Sequence, residues 1–485
     1  MNIGGVLYVL GRLCTLLACL LATPLVLCLQ DGGLGTETAN AFIVSAAVSL
    51  GIGWALRLSF EWEPQQFGFG EAFATVTFSW LVFTALGALP FLITNQIPSL
   101  LDACFEVLSG FTTTGASILP DPSILDRPLL FWRAMTHWIG GMGIVALSVA
   151  ILPALGAGGN FLFQAEMPGP ENEKLLPRIS STAKLLWGVY LGLTIAEFAL
   201  LWLFGMTPFD AICHTFATVA TGGFGTRPDS LASFSPAIQW TVIVFMFLAG
   251  INFVMHLAVL SGRWKAMLKN TEVRTYLSLI LLVAGTIAYV LADHGIGPTE
   301  TEPLLRDSLF TTVALLTSTG FVTADFGVWP PILHLVILGT MFVGACAGST
   351  GGGSKIIRLI VVVKAGIREV RQLLRPSAVF VVKVGHRPVP DVVVGKTIGY
   401  YVLYFGSLAI FSMLLMIIGL NTETSFSAIL SCLSNIGPGL GAVGPTSNYA
   451  ALPDLGKIIC MFCMLLGRLE FYSVLVLLLP LAWRR

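Results

Sequence analysis

Charged residues are scarce in this sequence, and their scarcity decides its class. Aspartate, glutamate, lysine and arginine together make up 11% of the 485 residues, whereas hydrophobic residues make up 55% and the mean hydropathy is +0.86. An aqueous surface cannot be built from such a composition, but a surface that faces lipid can. The chain is therefore predicted to be a polytopic integral membrane protein.

Catalytic and cofactor motifs are also missing. The sequence has no H-E-x-x-H, no G-x-S-x-G and no closely spaced set of acids or histidines, which disfavours a membrane enzyme. No G-x-G-x-x-G follows a predicted strand, so no organic cofactor is expected in this chain. Nine cysteines are scattered through apolar segments, and the C-x-x-C of Cys460 and Cys463 is interpreted as packing. A net charge of zero gives no basis for a nucleic-acid partner.

Apolar segments that are long enough to span a membrane recur along the chain. A spanning helix needs about 20 mostly apolar residues, and two such helices are predicted first, at about 3–29 and 39–58. Four units of span, half-helix, glycine loop and span follow them. We predict an all-α membrane fold with two extra N-terminal helices (1–69) and four parallel repeats in pseudo-fourfold arrangement around one ion pathway: 70–152, 181–260, 272–375 and 390–485.

Each unit contains a short run of small or hydroxyl-bearing residues that ends in glycine. The four runs are Phe111-Thr112-Thr113-Thr114-Gly115, Val219-Ala220-Thr221-Gly222, Thr317-Ser318-Thr319-Gly320 and Ser434-Asn435-Ile436-Gly437. Each follows a half-length apolar segment, predicted at 99–109, 208–218, 304–316 and 424–433. Polar residues that can cap these segments precede the loop glycines by twelve or thirteen positions: Asp102, Asp210, Asp307 and Thr424. A second set of glycines follows the loops in near-equal register: Gly143, Gly250, Gly348 and Gly467.

The repeated loop predicts a cation site. Non-helical backbone at membrane depth is tolerated only where protein or a water-filled cavity satisfies it. The negative dipole end of each half-helix would point at the membrane middle, and glycine lets successive carbonyls turn toward an axis. Carbonyl oxygens would then replace the water shell of a hard monovalent cation. Hydroxyl oxygens would be added by Thr113, Thr114, Thr221 and Thr319. A single T-T-G would be interpreted as a turn or helix cap, but four copies in one frame favour a filter.

The loops resemble the four selectivity loops of the Trk/Ktr/HKT potassium transporters. The resemblance rests on residues 109–115, 220–224, 317–321 and 434–438, and on the run 137–143, His-Trp-Ile-Gly-Gly-Met-Gly, which is similar to that family's first-repeat inner helix. It covers about residues 70–482, and the two extra helices resemble the bacterial TrkH/TrkG branch. It implies potassium uptake by a homodimer in the bacterial inner membrane, with potassium as the transported ion. In this family, serine at the position of Gly115 is associated with sodium selectivity. The glycine at this position therefore implies potassium selectivity.

The inner segment of the third repeat is interrupted by glycines. Five glycines in ten residues cannot hold a stable helix, since each costs roughly 1 kcal/mol relative to alanine. An irregular gating loop beneath the filter is predicted, as the resemblance also implies, and its candidate residues are Gly344, Gly348, Gly351, Gly352, Gly353, Ser354 and Lys355. A phosphate-binding loop is disfavoured because the order Ser-Lys at its end reverses the required order.

Arg468 is the other candidate gating residue, because it lies in an otherwise apolar run. A charge at the bilayer centre costs roughly 2.5 to 3.5 kcal/mol on insertion scales. We expect Arg468 to project into the conduit below the filter and raise a barrier to cations; an ion pair with an acid elsewhere is the alternative. Several acids and histidines in or near the predicted spans could relay protons, although structural hydrogen bonds explain them more simply: Glu106, Glu197, His137, His214, His256 and His334.

Basic residues indicate the orientation of the chain. Nineteen fall in connections on the side of the N-terminus and three in the opposite connections, so both termini are expected in the cytoplasm and the glycine loops on the outer side. A basic helical face is predicted after the interruption, from Lys364, Arg368, Arg371 and Arg375, and it would meet membrane lipids or a protein. The resemblance implies a separate cytoplasmic nucleotide-binding ring of the TrkA type as regulator. A symporter coupled to sodium or protons is the competing function.

Overall fold

The computed structural model describes residues 1–61, 68–143, 179–385, 387–480 and 483. Within them the chain is helical apart from loops, three short 3-10 turns and one two-stranded antiparallel pairing of Lys383–Val384 with Arg387–Pro388. Six of the described helices are long and apolar enough to cross a membrane, or eight if each of two bent helix pairs counts as one span. The prediction of an all-α membrane protein is confirmed.

The N-terminal helices pack as an antiparallel pair. The first segment of the pair consists of two helices, Ile3–Leu21 and Leu25–Asp31, so the first predicted span is interrupted at residues 22–24. The second segment is the helix Glu37–Ser59. Gly11 and Gly53 bring the pair into close contact: an added Cβ at Gly11 would lie 2.8 Å from the Gly53 carbonyl oxygen, and one at Gly53 would lie 2.7 Å from the Gly11 carbonyl oxygen. Small residues at such a crossing let two helix backbones approach in lipid.

Four kinds of element then recur, which we name outer helix, half-helix, glycine loop and inner helix. The outer helices are Phe69–Ile93, Ile179–Leu203, Thr271–His294 and Asp391–Ile417. The half-helices are Leu100–Phe111, Pro208–Val219, Thr301–Leu316 and Thr422–Ser434. The inner helices are Arg127–Gly141, Pro236–Ala249 with Phe253–Leu260, Pro331–Val343 with Ile356–Leu374, and Asp454–Arg468 with Tyr472–Leu478. A short helix, Trp264–Lys269, connects repeats 2 and 3. The division of the chain into four repeats stays a prediction.

The inner helices differ from the prediction, which expected only the third to be broken. The second bends by 99° between Pro236–Ala249 and Phe253–Leu260, and the fourth bends by 117° between Asp454–Arg468 and Tyr472–Leu478. Gly250 and Gly467 lie at or beside these two bends. Both are also closely packed, since an added Cβ would overlap the Tyr276 hydroxyl at Gly250 and the Leu433 carbonyl oxygen at Gly467. The first inner helix was predicted to reach residue 152, and its part beyond residue 143 lies outside the described residues.

The second break is stabilised by the third repeat. The Cys346 N–H donates to the Gly250 carbonyl at 3.1 Å, and the Phe253 N–H donates to the Gly348 carbonyl at 3.0 Å. Backbone groups released by a break at membrane depth need such partners. The residues between Val343 and Ile356, which we call the intramembrane loop, are therefore bonded to the bend of the second inner helix.

Candidate functional site

Each half-helix ends in the same backbone turn. One or two residues after the end of each half-helix, a residue adopts a left-handed conformation, with φ of 53° at Thr113, 55° at Thr221, 58° at Ser318 and 53° at Asn435. The next residue donates its N–H back to the carbonyl five positions earlier, as Thr114 does to Ser109 at 2.9 Å. A β-branched residue in this conformation costs about 1–2 kcal/mol. The turn is thus imposed by the surrounding structure at the same place in each repeat.

A glycine with positive φ follows two residues after each left-handed residue. These glycines are Gly115, Gly223, Gly320 and Gly437, with φ of 76°, 87°, 75° and 101°. The prediction took Gly222 as the loop glycine of repeat 2, and this was wrong by one residue. Val219, like Phe111 and Ser434 in the first and fourth repeats, is the last residue of its half-helix and not part of the loop.

The sequence held a signal for the correct register. With Gly223 as the loop glycine, Asp102, Asp210, Asp307 and Thr424 all precede their glycine by thirteen residues. Gly222 is glycine for another reason, because a Cβ there would overlap the imidazole of His137. The ring of His137 therefore packs directly on the second glycine loop.

The four glycine loops contact one another in cyclic order. A Cβ added to Gly115 would overlap the Gly222 carbonyl oxygen, one added to Gly223 would overlap the Thr319 carbonyl oxygen, and one added to Gly320 would overlap the Ile436 carbonyl oxygen. At Gly437 the added Cβ would lie 2.8 Å from the Thr114 carbonyl oxygen, which closes the cycle. Each glycine thus abuts the carbonyl of the residue that precedes the next loop's glycine. The negative ends of four half-helices are thereby brought to one ring of backbone.

The side-chain oxygens of the loops are less available than the sequence suggested. The hydroxyl of Thr114 is 2.8 Å from that of Thr112, and the hydroxyl of Thr319 is 2.7 Å from that of Thr317. The Thr221 hydroxyl donates to the Ala220 carbonyl at 2.6 Å. These bonds hold the loop side chains in place, so backbone carbonyls are left as the main candidate ligands.

Two side-chain oxygens of the loops have no hydrogen-bond partner among the described residues, and one loop carbonyl is already engaged by hydroxyl groups. Thr113 Oγ1 and Asn435 Oδ1 are buried without a hydrogen-bond partner among the described residues. The carbonyl oxygen of Gly437, in contrast, accepts hydroxyl groups from Ser431 and Tyr449, both at 2.8 Å. The fourth loop is therefore held from behind, and its glycine carbonyl is engaged by protein.

The polar residues at the starts of the half-helices bind the returning chain rather than cap the helix. Side-chain caps are supplied three residues earlier in repeats 1, 2 and 4, by Ser99, Thr207 and Asn421. The carboxylate of Asp210 accepts the hydroxyl of Thr226 at 2.8 Å. In the other repeats Asp307 accepts the Thr323 hydroxyl at 3.2 Å, Thr424 accepts the Ala442 N–H at 3.0 Å, and Asp102 accepts Lys457 Nζ at 2.6 Å. Each of these residues fixes the segment that leaves the loop or the inner helix beyond it.

The connections between the glycine loops and the inner helices contain a further acidic group, Asp121. In the first, the hydroxyl and N–H of Ser123 bond to the carboxylate of Asp121, which lowers the pKa of Asp121 below its ordinary value. Hydrogen bonds to the ionised form explain the direction of the shift. An anionic carboxylate is therefore kept in the connection that follows the first glycine loop.

The intramembrane loop lies beside the ring, against the ends of the half-helices. The hydroxyl of Thr350 donates to the Val219 carbonyl at 3.1 Å, and the Gly352 N–H donates to Ser318 Oγ at 2.5 Å. A Cβ at Gly351 would lie 2.8 Å from the Thr317 carbonyl oxygen, and one at Gly352 would overlap the Ser434 carbonyl oxygen. The loop thus touches the C-terminal ends of the second, third and fourth half-helices.

The remaining predicted gating residues shape this loop. Gly344, Gly348, Gly353 and Lys355 all have positive φ, between 65° and 75°. The Lys355 ammonium donates to the Gly351 carbonyl across the loop. At the base of the loop, Ser354 Oγ is 3.1 Å from the hydroxyl of Tyr401 in the fourth outer helix.

Arg468 joins the intramembrane loop to the first repeat. Its guanidinium donates to the Thr350 carbonyl at 3.1 Å, to the Gly141 carbonyl at 3.2 Å and to the Gly140 carbonyl. Together with Asn435, Lys355 and the intramembrane loop it lines a cavity of about 90 Å³. Arg468 thus lies next to the intramembrane loop, and its projection into an ion conduit and its effect on ion passage stay predictions.

Three buried basic side chains form ion pairs that the sequence did not reveal. Arg133 pairs with Glu106 at 2.5 Å, Lys457 pairs with Asp102 at 2.6 Å, and Arg358 pairs with Glu470 beside the fourth inner-helix bend. A charge within a predicted span was a signal that could have flagged Arg133 and Lys457, as it flagged Arg468. Arg358 belongs to the basic segment after the interruption, where a positive charge is not unusual. The partners of all three cations are 27 to 355 residues away in the chain and could not be assigned without the fold.

Comparisons with known proteins agree with the fold. The sequence matches a family model described as TrkH, cation transport protein, over residues 38–481. It is 37% identical over 490 residues to the Trk system potassium uptake protein TrkH of Salmonella typhimurium, with 100% of both chains covered. It is 40% identical over 421 residues to the TrkH protein of Vibrio parahaemolyticus, covering 85% of this chain and 86% of that one. The crystal structure of the potassium transporter TrkH from Vibrio parahaemolyticus matches with a TM-score of 0.88, at 34% identity and with 100% of both chains covered.

Proposed function

Because this chain belongs to the TrkH family of cation transport proteins, we propose that it takes up potassium through the ring of four glycine loops. The observation that carries the proposal is the cyclic contact of Gly115, Gly223, Gly320 and Gly437 with the backbone of the neighbouring loops. A ring of backbone carbonyls at the ends of four half-helices is suited to a dehydrated monovalent cation. Neutral oxygen ligands hold such an ion without the strong binding that carboxylates give to divalent ions.

Potassium is proposed as the ion for two reasons. The relatives that match over the full chain are named as potassium uptake proteins. All four loops also carry glycine at the ring position, including Gly115, which the family resemblance associates with potassium rather than sodium.

We further propose that the intramembrane loop and Arg468 form the gate. The loop is bonded to Val219 and Ser318 at the ends of two half-helices, and Arg468 bonds the loop to the carbonyls of the first inner helix. An ion leaving the ring toward the opposite side would have to displace this loop. The positive charge of Arg468 adds an electrostatic barrier at the same level.

The partners implied by the family resemblance are part of the proposal. They are a second copy of the chain, a cytoplasmic nucleotide-binding ring of the TrkA type and the lipids of the bacterial inner membrane. Both chain termini lie in the cytoplasm in this arrangement, as the distribution of basic residues predicts. The helix Ile356–Leu374, which continues from the intramembrane loop and carries Lys364, Arg368 and Arg371, is the element through which a cytoplasmic partner would act on the gate.

Cation flux into liposomes that contain only this chain tests the proposal. With potassium inside and no sodium or proton gradient, we expect uptake of external rubidium that exceeds uptake of sodium. Empty liposomes supply the control. Rubidium uptake that needs a sodium or proton gradient would identify a symporter, and equal uptake of rubidium and sodium would contradict a potassium filter.

A further inference from the structure

A buried ion pair lies at the boundary between the first and second glycine loops. Arg133 Nε, in the first inner helix, is 2.5 Å from Glu106 Oε1, in the first half-helix. The two side chains are only 4% and 1% exposed. Two charges withdrawn from water this completely need additional hydrogen bonds to be stable, and the positions of those bonds indicate what the pair does.

The carboxylate of Glu106 holds the segment that leaves the first loop. It accepts the Ser117 hydroxyl at 2.9 Å and the Ile118 N–H at 2.9 Å. Both residues follow Gly115 by two or three positions. Hydrogen bonds to an ionised acceptor are about twice as strong as neutral ones, so the first loop is fixed firmly at its exit.

The guanidinium of Arg133 holds the segment that leaves the second loop. It donates to the Gly225 carbonyl at 2.9 Å and lies 3.5 Å above the ring of Phe224. These residues follow Gly223 by one and two positions. The ion pair therefore connects equivalent points of two neighbouring loops, immediately behind the ring.

The chain of hydrogen bonds continues to the fourth loop. The Ser117 carbonyl accepts the Tyr449 N–H at 2.8 Å, and the Tyr449 hydroxyl donates to the Gly437 carbonyl at 2.8 Å. The boundary between loops 2 and 3 is bridged differently, by a 3.1 Å bond from the Leu231 N–H to the Val322 carbonyl. Glu106 and Arg133 thus form the charged centre of a network that spans the second, first and fourth loops.

We propose that the Glu106–Arg133 pair is a positioning element that sets how strongly the ring discriminates potassium from sodium. This proposal rests on the proposed function. A ring of carbonyls favours the larger ion only while its diameter is held, because a ring that closes in also accommodates the smaller ion. Loosening the connection between loops 1 and 2 releases that constraint without removing any atom of the ring itself.

The experiment compares potassium-to-sodium permeability ratios, measured as reversal potentials in bilayers. Arg133→Lys keeps the positive charge near Glu106 but cannot also reach the Gly225 carbonyl, and Glu106→Gln keeps the shape but loses the charge. In both we expect the ratio to fall by about tenfold, equivalent to ~1.4 kcal/mol of discrimination, with potassium current retained. Arg127→Gln is the matched control, since Arg127 lies in the same inner helix and pairs with Asp31 at 2.6 Å on the exposed side.

A milder variant controls for the possibility that the charge substitutions prevent folding. Ser117→Ala removes the hydroxyl that donates to Glu106 and accepts the Leu119 N–H. It leaves no buried charge unpaired, so it should fold and should lower the ratio to a smaller extent. Wild-type ratios in Arg133→Lys and Ser117→Ala, with normal potassium current, would overturn the inference while leaving the proposed function intact. A wild-type protein that does not distinguish potassium from sodium would instead refute the proposed function.

Discussion

Replacing Arg468 with alanine should raise cation flux. The side chain donates to the carbonyls of Thr350, Gly140 and Gly141, and so bonds the intramembrane loop to the first inner helix. A hydrogen bond from a charged donor contributes about 1.5–3 kcal/mol. When the loop moves away in the wild type, water replaces the carbonyls around the guanidinium. The net free energy by which Arg468 stabilises the closed loop is therefore taken as that of about one such bond, ~2 kcal/mol. That value shifts the ratio of closed to open protein by about 30-fold.

The charge of Arg468 acts in the same direction. An ion about 7 Å from the guanidinium experiences a repulsion of about 0.6 kcal/mol at the dielectric constant of water and about 2.4 kcal/mol at an effective value of 20. Removing the charge therefore lowers the barrier for ions that do enter the cavity. The two effects predict at least a tenfold increase in rubidium flux for the alanine variant.

Arg468→Lys separates the two effects. Lysine keeps the charge but cannot contact all three carbonyls. If hydrogen bonding closes the gate, the lysine variant conducts nearly as well as the alanine variant; if charge closes it, the lysine variant stays near the wild type. Flux is measured with radioactive rubidium in liposomes of matched protein content, and folding is checked by gel filtration. Alanine-variant flux equal to or below that of the wild type would refute the proposed role of Arg468.

Three other perturbations follow from the same contacts. Gly223→Ala should sharply reduce potassium-to-sodium selectivity in flux assays, because the new methyl group overlaps the third loop, whereas Gly188→Ala, with open space around it, should change nothing. Glu272→Gln should raise flux and leave selectivity unchanged, since its carboxylate accepts the Ala347 N–H within the intramembrane loop at 2.7 Å and the Ile357 N–H just after the loop at 3.2 Å; unchanged flux would count against this loop as the gate. Lys457→Met should lower stability by about 1–3 kcal/mol in thermal unfolding, because it leaves a partly buried carboxylate unpaired, and the double variant with Asp102→Asn should recover part of that loss.

Much of the helical framework follows from the sequence because it depends on local features. Runs of about 20 apolar residues identify the outer helices, and the short apolar segments before each loop identify the half-helices to within three residues of Leu100–Phe111 and Thr301–Leu316. The glycine-rich interruption after Val343 is also local, because five glycines cannot hold a helix. These elements need no knowledge of what they pack against.

The breaks in the second and fourth inner helices were not predicted, because tertiary partners stabilise them. One glycine costs a helix only about 1 kcal/mol, so Gly250 and Gly467 did not indicate a bend. The bend at Gly250 is supported by bonds with Cys346 and Gly348, which belong to a different repeat. The bend after Arg468 includes two non-glycine residues with positive φ, Glu470 and Phe471.

The register of the second loop was missed for a different reason. Two consecutive glycines follow Thr221, and similarity to the threonine-glycine pairs of the other loops favoured the first of them. Only the thirteen-residue spacing from Asp210 distinguished Gly223 as the equivalent of Gly115 and Gly320. The ion pairs, in turn, join residues far apart in the chain, and no local pattern links Glu106 with Arg133.

The central claim is that the ion passes through the ring formed by the four glycine loops. Anomalous diffraction from crystals of the purified chain grown in rubidium locates the ion directly. We predict anomalous density on the axis of the ring, within coordination distance of backbone carbonyls from all four loops. Density that lies outside the ring, with none among Gly115, Gly223, Gly320 and Gly437, would contradict the account.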